Sequence, residues 1–195
     1  MSDVKFNKYT GGMILAGDFG KYFHAASLGR VFAGETAASG VAPGTALGTT
    51  GPFTLHNPAG SGVYASILQA SMGYVSGTLG AGVVVWAANV DPSLALPTGT
   101  AITVRNMLVA GVRADGQVLA FTTSTIATPI GLRPAFLLDA SLATTAGVGM
   151  RAMVDYVDGA IVLAPGGTVT LQGIAAAGAT PLVVFGAIWT EVPIL

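Results

Sequence analysis

The sequence lacks cysteine altogether and has very little histidine. Without cysteine among its 195 residues, the chain forms neither disulfide bonds nor thiolate metal sites, and its redox compartment stays undetermined. The two histidines, His24 and His56, have no second candidate ligand at the short spacing that a zinc site requires. We expect both to be surface residues, with His56 on the polar face of a strand.

Charge is also scarce. Charged residues make up 9% of the chain, against about 25% in ordinary soluble domains. A folded monomer of 19.4 kDa exposes about 8,500 Å², which leaves roughly 500 Å² for each charged residue. Such a surface protects a lone monomer poorly, and it therefore predicts permanent self-assembly. The net charge of −1 and the scattered basic residues predict no nucleic-acid partner and no membrane partner.

Long apolar runs are missing too. The longest, residues 79–90 and 174–188, are shorter than the roughly 18 residues of a spanning helix, and Pro181 interrupts the second. Glycine-punctuated apolar runs of this length are typical of buried strands.

Residues 1–50 differ from the rest of the chain in their density of glycine and their weak periodicity. Glycine raises the entropy lost on ordering, so a segment of this kind rarely folds alone. We expect an extended glycine-rich N-terminal arm, with short strand-like pieces at 21–25 and 30–33, that lies on the body or on a neighbouring subunit. A disordered leader is the alternative.

Residues 51–195 carry the pattern of a β-sheet domain. Apolar residues alternate with polar ones over short runs, and turn residues such as Asn57-Pro58-Ala59-Gly60 separate the runs. About eight such strands predict an all-β fold, a jelly-roll-like antiparallel β-sandwich. The pair Asp158-Gly159 predicts a two-residue hairpin turn between strands at 153–157 and 160–163.

Two strands support more specific predictions. Alternation predicts that Leu119 and Phe121 face the core while Ala120 and Thr122 face outward. The run from 182 to 189 is apolar on both faces, which predicts a strand covered on both sides. Its second face, with Trp189 as its largest side chain, would meet the arm, a second subunit or another covered surface.

Patterns that indicate catalysis are sparse. Ser61 lies in Gly-Ser-Gly, but no histidine follows it to complete a hydrolase triad. Asp155 and Asp158 supply too few oxygens for calcium, so a strand-edge Asp and a turn Asp are expected instead. Aromatic residues could line a carbohydrate groove, although on strands they more often fill the core: Tyr64, Tyr74, Trp86, Tyr156 and Trp189. We expect no catalytic residue, no cofactor, no metal and no enzymatic activity.

Three segments resemble small virion structural proteins of tailed bacteriophages. The first is Leu-His-Asn-Pro-Ala-Gly-Ser-Gly at 55–62, which precedes a long apolar strand. The second is Ile-Val-Leu-Ala-Pro-Gly at 161–166, followed by alternating Val169 and Leu171. The third is Trp-Thr-Glu-Val-Pro at 189–193.

The resemblance implies a capsid decoration, or cement, protein that forms a homotrimer on the head exterior and stabilises the capsid lattice. Its partners would be further copies of itself and the major capsid protein of the same particle. It would be made in the host cytoplasm and reside on the capsid surface of the virion. A tail or fibre component is an alternative, and a glycan-binding β-sandwich module is another.

Overall fold

In the computed structural model, the residues described are 4–6, 13–15, 20–89, 97–110, 116–139 and 153–194. Most of them belong to two antiparallel sheets that enclose one hydrophobic core, which confirms the prediction of an all-β sandwich. A separate two-stranded sheet is formed by β1 (Val4–Phe6) and β2 (Met13–Leu15), and the one helix described is α1 (Phe23–Ser27).

The first sheet has six strands. Their spatial order is β10 (Ile130–Leu138), β6 (Gly82–Asn89), β13 (Thr168–Ala175), β4 (Thr50–His56), β9 (Leu119–Thr125) and β7 (Thr98–Ile102). Every neighbouring pair is antiparallel, and β13 at the centre pairs with β6 on one side and β4 on the other.

The second sheet is built around the two longest strands. Its order is β11 (Met153–Tyr156), β5 (Val63–Ser76), β14 (Leu182–Pro193), β3 (Val31–Glu35) and β8 (Arg105–Asn106), and β12 (Val162–Leu163) also pairs with β5. Asn57 to Gly62 form the predicted turn between β4 and β5, where Gly60 and Gly62 have positive φ angles of 81° and 72°. Glycine adopts such angles without steric cost, so the turn follows directly from the sequence.

The core lies between the two sheets and contains both tryptophans. Trp86 comes from β6 and Trp189 from β14, and both are fully buried. Trp189 stacks on Phe32 of β3, with ring centroids 6.4 Å apart and an interplanar angle of 26°. Trp189 is therefore a core residue of the subunit, and its contact with Phe32 is made within one chain.

The predicted arm is partly integrated into the body. Residues 21–25 do not form the predicted strand, because local hydrogen bonds, including Ala26 N–H to Tyr22 C=O at 2.9 Å, close the short helix α1 instead. β3 is paired on both sides, with β14 and β8. Val41 then pairs with Val183 of β14, and Pro43 C=O accepts from Gly173 N–H of β13 at 2.6 Å. The boundary at residue 50 stays a prediction, but residues 31–43 bond to strands of the body.

The predicted hairpin at Asp158-Gly159 is wrong, although both residues have the positive φ angles that such a turn requires. Asp158 and Gly159 both have positive φ, 52° and 85°. The flanking strands β11 and β12 do not pair with each other, since both pair with β5. Val157 and Asp158 both donate their N–H to Leu68 C=O, at 3.0 and 2.8 Å. The pair is therefore a bulge in one interrupted strand.

The predicted facing of β9 is also wrong. Ala120 is buried in the core, whereas Leu119 is 45% exposed and Phe121 is half-buried. Leu55 of β4 lies opposite Ala120, and the core there accepts only a small side chain because Gly34 of β3 approaches from the second sheet. The sequence also predicts a two-residue hairpin turn at Asp115-Gly116, of which Asp115 lies outside the described residues.

Candidate assembly surface

Asp155 and Asp158, the two aspartates considered above for calcium, take part in different ion pairs. Asp155 accepts hydrogen bonds from Trp86 Nε1 at 2.8 Å and from Arg133 Nη2 at 2.6 and 2.7 Å. Asp158 accepts from Lys21 Nζ at 2.6 Å and from the Tyr22 hydroxyl. The hydrogen bonds from Lys21 and then Tyr22 hold the pKa of Asp158 below its ordinary value of 3.8. Each carboxylate therefore already has its own donors.

His56 is buried, and its predicted surface position is wrong. Its Nδ1 lies 2.8 Å from Thr168 Oγ1 on the neighbouring strand. Desolvation lowers the pKa of His56 below its ordinary value of 6.5, which favours the neutral ring at pH 7. Thr54, Thr170 and Ser124 are buried on the same sheet, where the Thr54 and Ser124 hydroxyls share a hydrogen bond and Thr170 donates to Phe53 C=O. Hydrogen bonds to neighbouring strands let this outer face carry polar residues without exposing them to water.

The aromatic residues do not form a sugar-binding groove around tryptophan. Both tryptophans are in the core, as the more common role of strand aromatics predicted. Tyr74 is half-buried, and its hydroxyl donates to Gly77 C=O at 2.6 Å. Tyr64 and Tyr156 are the exposed members of the set, on β5 and β11.

The edges of the two sheets at β10 and β11 carry exposed apolar side chains. These edge strands approach each other, and the Arg133–Asp155 ion pair joins them. Six exposed apolar side chains lie on β10, β11 and β12, and we call them the apolar flank: Ile130, Leu132, Leu137, Val154, Tyr156 and Val162. Tyr156 is 69% exposed and Leu137 is 63% exposed. A groove of about 470 Å³ is lined by both Leu132 of β10 and Val162 of β12, so these two flank residues lie on one surface.

Groups of exposed apolar side chains mark interaction sites in soluble proteins. The charged groups within the apolar flank, Arg133 and Asp155, neutralise each other. Sequence reasoning missed the flank, although β10 and β11 each carry exposed apolar residues two positions apart. Only the structure identifies these strands as the edges of their sheets.

Two of the segments that carried the bacteriophage resemblance contact each other. Asn57 is fully buried and donates its side-chain Nδ2 to Val63 C=O at 2.8 Å and to Leu163 C=O at 2.9 Å. Its backbone N–H donates to Gly167 C=O at 2.9 Å. Asn57 therefore connects the turn at 57–62 to the turn at 164–167. These contacts explain why both segments contain a characteristic turn sequence.

Comparison with known proteins identifies no family for this chain: no family model, no curated protein and no solved structure matches it. Within the described ranges, no group of three or more histidine, aspartate or glutamate residues is placed to hold a metal ion. Among the same residues, no helix is long and apolar enough to cross a membrane.

Proposed function

We propose that the chain is a viral structural protein, a capsid decoration protein that forms a homotrimer and binds the major capsid protein on the head exterior. The observation that carries the proposal is the apolar flank on a molecule with so few free charges. A permanent interface resembles a domain core cut in half, and the flank has that composition. Binding only the assembled lattice would stabilise that lattice by mass action.

The strand pairing supports a jelly-roll version of the sandwich. Four pairs are nested along the chain: β4 with β13, β5 with β11 and β12, β6 with β10, and β7 with β9. Eight strands paired in this nested way, with β11 and β12 as one interrupted strand, follow the double Greek key of a jelly roll. One departure is that β7 and β9 lie beside β4 in the first sheet, while β3 and β14 extend the second.

Burial of the flank is large enough to drive association. Burying the exposed part of each flank side chain contributes about 1 kcal/mol, or about 6 kcal/mol for the six of one chain, and an equally apolar partner surface contributes about as much again. Association costs about 4–15 kcal/mol in lost freedom and ordering. One flank contact therefore roughly offsets that cost, and several contacts at once, as in a trimer on a shell, would give stable binding.

The alternatives are less well supported by the surface. A glycan-binding module would present tryptophan and convergent polar groups in a cleft, whereas both tryptophans are in the core. A tail or fibre component would use the same kind of apolar interface, so the location of the chain in the particle must distinguish it from a head protein.

Two measurements test the proposal. Light scattering at micromolar concentration should give a mass of about three chains, and a soluble single-chain species would contradict self-assembly. Leu132→Lys, in the flank, should lower that mass, whereas Ala59→Lys, in the exposed turn before β5, adds the same charge and should not.

The second measurement locates the chain. An antibody against it should detect it in the fraction of an infected-cell lysate that sediments with nuclease-resistant, DNA-containing particles, and should label heads and not tails in electron micrographs. Recovery only in the supernatant would contradict a virion role.

A further inference from the structure

Most sheet edges in the described part of the molecule are protected against pairing with another strand. An edge strand presents unpaired N–H and C=O groups, which proteins blunt with short length, charge, proline, bulges or inward-pointing charged residues. β10 contains Arg133 and Pro134 and has two register shifts. β11 holds Asp155, whose carboxylate points inward to Trp86, and the 158–159 bulge follows it. β8 has only two residues, Arg105 and Asn106.

β7 is the least protected edge of the sandwich. Its five residues, Thr98–Ile102, include no charge and no proline, and the first four are exposed. Its register with β9 shifts between Thr98 and Thr100, so the regular part of the strand is Thr100–Ile102. This edge is a template for one added strand of about three residues.

A groove runs beside this edge. It has a volume of about 660 Å³ and lies between β7 and the end of β3. Small residues line much of it, including Ala33, Gly34 and Ala101, while Glu35 and Arg105 contribute charge. The groove is as large as typical ligand pockets, about 300–1,000 Å³, so the side chains of an added strand would have space there.

The chain itself contains a strand of matching length. β1 and β2 pair with each other and, among the described residues, with no third strand. A two-stranded sheet is marginally stable in water, and a third strand supplies the missing pairing. β2 is the apolar sequence Met-Ile-Leu, and each strand has three residues, like the regular part of β7.

Geometry favours β7 of a second copy over β7 of the same chain. Lys21 is tied to Asp158, beside β11, whereas β7 connects directly to β8 at the opposite side of the second sheet. Four strand spacings separate β11 from β8, or about 19 Å through the sheet. The six residues from 16 to 21 could span at most about 22 Å if fully extended, little more than the direct distance, and the route over the surface is longer than the direct one.

We infer that the β1–β2 hairpin of one copy adds to the β7 edge of a second copy and lies over the groove beside it. This inference rests on the proposed self-assembly and names a second surface, besides the apolar flank, through which two copies join. The contact is made largely by main-chain hydrogen bonds, so it fixes the relative orientation of the copies without needing charge.

The absence of cysteine makes disulfide cross-linking a direct test. A chain carrying Ile14→Cys is mixed under mild oxidation with a chain carrying Ala101→Cys, and in parallel with a chain carrying Ala59→Cys. Ala59 is a matched control because it is also an exposed alanine, and it lies in the turn before β5, outside both β7 and the apolar flank. We expect a cross-linked pair of chains to form at least fivefold faster with Ala101→Cys. Equal rates with the two partners would overturn the inference.

Two further samples separate the alternatives. A diluted double variant, Ile14→Cys with Ala101→Cys, should give little intramolecular disulfide, and a predominantly intramolecular product would overturn the exchange between copies. Light scattering of the same samples distinguishes the two proposals. An intact oligomer without the Ala101 cross-link would overturn the strand addition alone, whereas a single-chain mass would overturn self-assembly as well.

Discussion

Glu191 gives the sharpest prediction about stability, because its buried carboxylate satisfies three donors. Oε2 accepts from Gln117 N–H at 2.8 Å, and Oε1 accepts from Val118 N–H at 3.1 Å and from Trp189 Nε1 at 3.2 Å. The side chain is 5% exposed and joins β14 of the second sheet to the segment that leads into β9 of the first. It therefore ties the two sheets together at the core.

Glu191→Gln keeps the shape of the side chain but turns one acceptor into a donor that faces another donor. A hydrogen bond to a charged group contributes about 1.5–3 kcal/mol, so we expect a loss of about 2 kcal/mol. Glu191→Ala leaves all three donors unsatisfied, and we expect a loss of about 3–5 kcal/mol. At about 2–4 °C per kcal/mol for a chain of this size, the melting temperature should fall by about 4–8 °C for Glu191→Gln.

The assay is urea and thermal unfolding followed by tryptophan fluorescence, which also reports on Trp189 directly. Glu35→Gln is the matched control, because Glu35 is exposed on β3 and should change stability by less than about 0.5 kcal/mol. If Glu191→Gln unfolds at the midpoint of the parent, the carboxylate does not hold the two sheets together and the description of this contact is wrong.

Three further predictions concern the turns and the N-terminal anchor. Gly159→Val should lower the free energy of unfolding by about 1–3 kcal/mol, because Gly159 has a φ of 85° and a Cβ there would lie 3.0 Å from Ser66 Oγ. Gly131→Val is the control, since a Cβ at Gly131 meets open space and should leave stability nearly unchanged. Equal melting temperatures for the two variants would contradict the bulge. Asn57→Asp should lower the free energy of unfolding in urea by about 2–3 kcal/mol, since a carboxylate cannot donate to the carbonyls of Val63 and Leu163. An unchanged urea midpoint would mean that these hydrogen bonds do not stabilise the turn. Because the folded pKa of Asp158 is depressed, its contact with Lys21 is present above pH 3.8 and is lost as the pH falls through that lower value. Asp158→Asn should therefore increase tryptic cleavage after Lys21 at neutral pH while the melting temperature changes little, and unchanged cleavage would show that Asp158 does not hold this segment.

The features that sequence predicted correctly depend on short-range chemistry. The turn at 57–62 follows from Asn-Pro and from glycines at positive φ, and the strand from Leu182 follows from its continuous apolar run. The positive φ angles at Asp158 and Gly159 were also predictable, because they are a property of the dipeptide. The dipeptide does not determine which strand its flanking strands β11 and β12 pair with, and here both pair with β5.

The burial of His56 and the facing of β9 depend on distant residues. His56 is covered where Thr168, more than a hundred residues later, reaches its ring, and no local pattern indicates that contact. Ala120 faces inward at a point where Gly34 of the opposite sheet comes close to it, so its small side chain fits there. Alternation predicts that the two faces of a strand differ in polarity. It does not show which face packs on the core, because that depends on the distant elements that cover the strand.

The structure also strengthens the case made from the scarcity of charge. Lys21 and Asp158 neutralise each other, as do Arg133 and Asp155, and Glu191 is buried. The free charge on the described surface is therefore lower than the composition alone indicates. Apolar surfaces attract one another without specifying orientation, whereas charge and main-chain pairing specify it. With little free charge available, an ordered assembly of this chain needs a directional contact, and the unprotected edge of β7 is where the described part of the fold provides one.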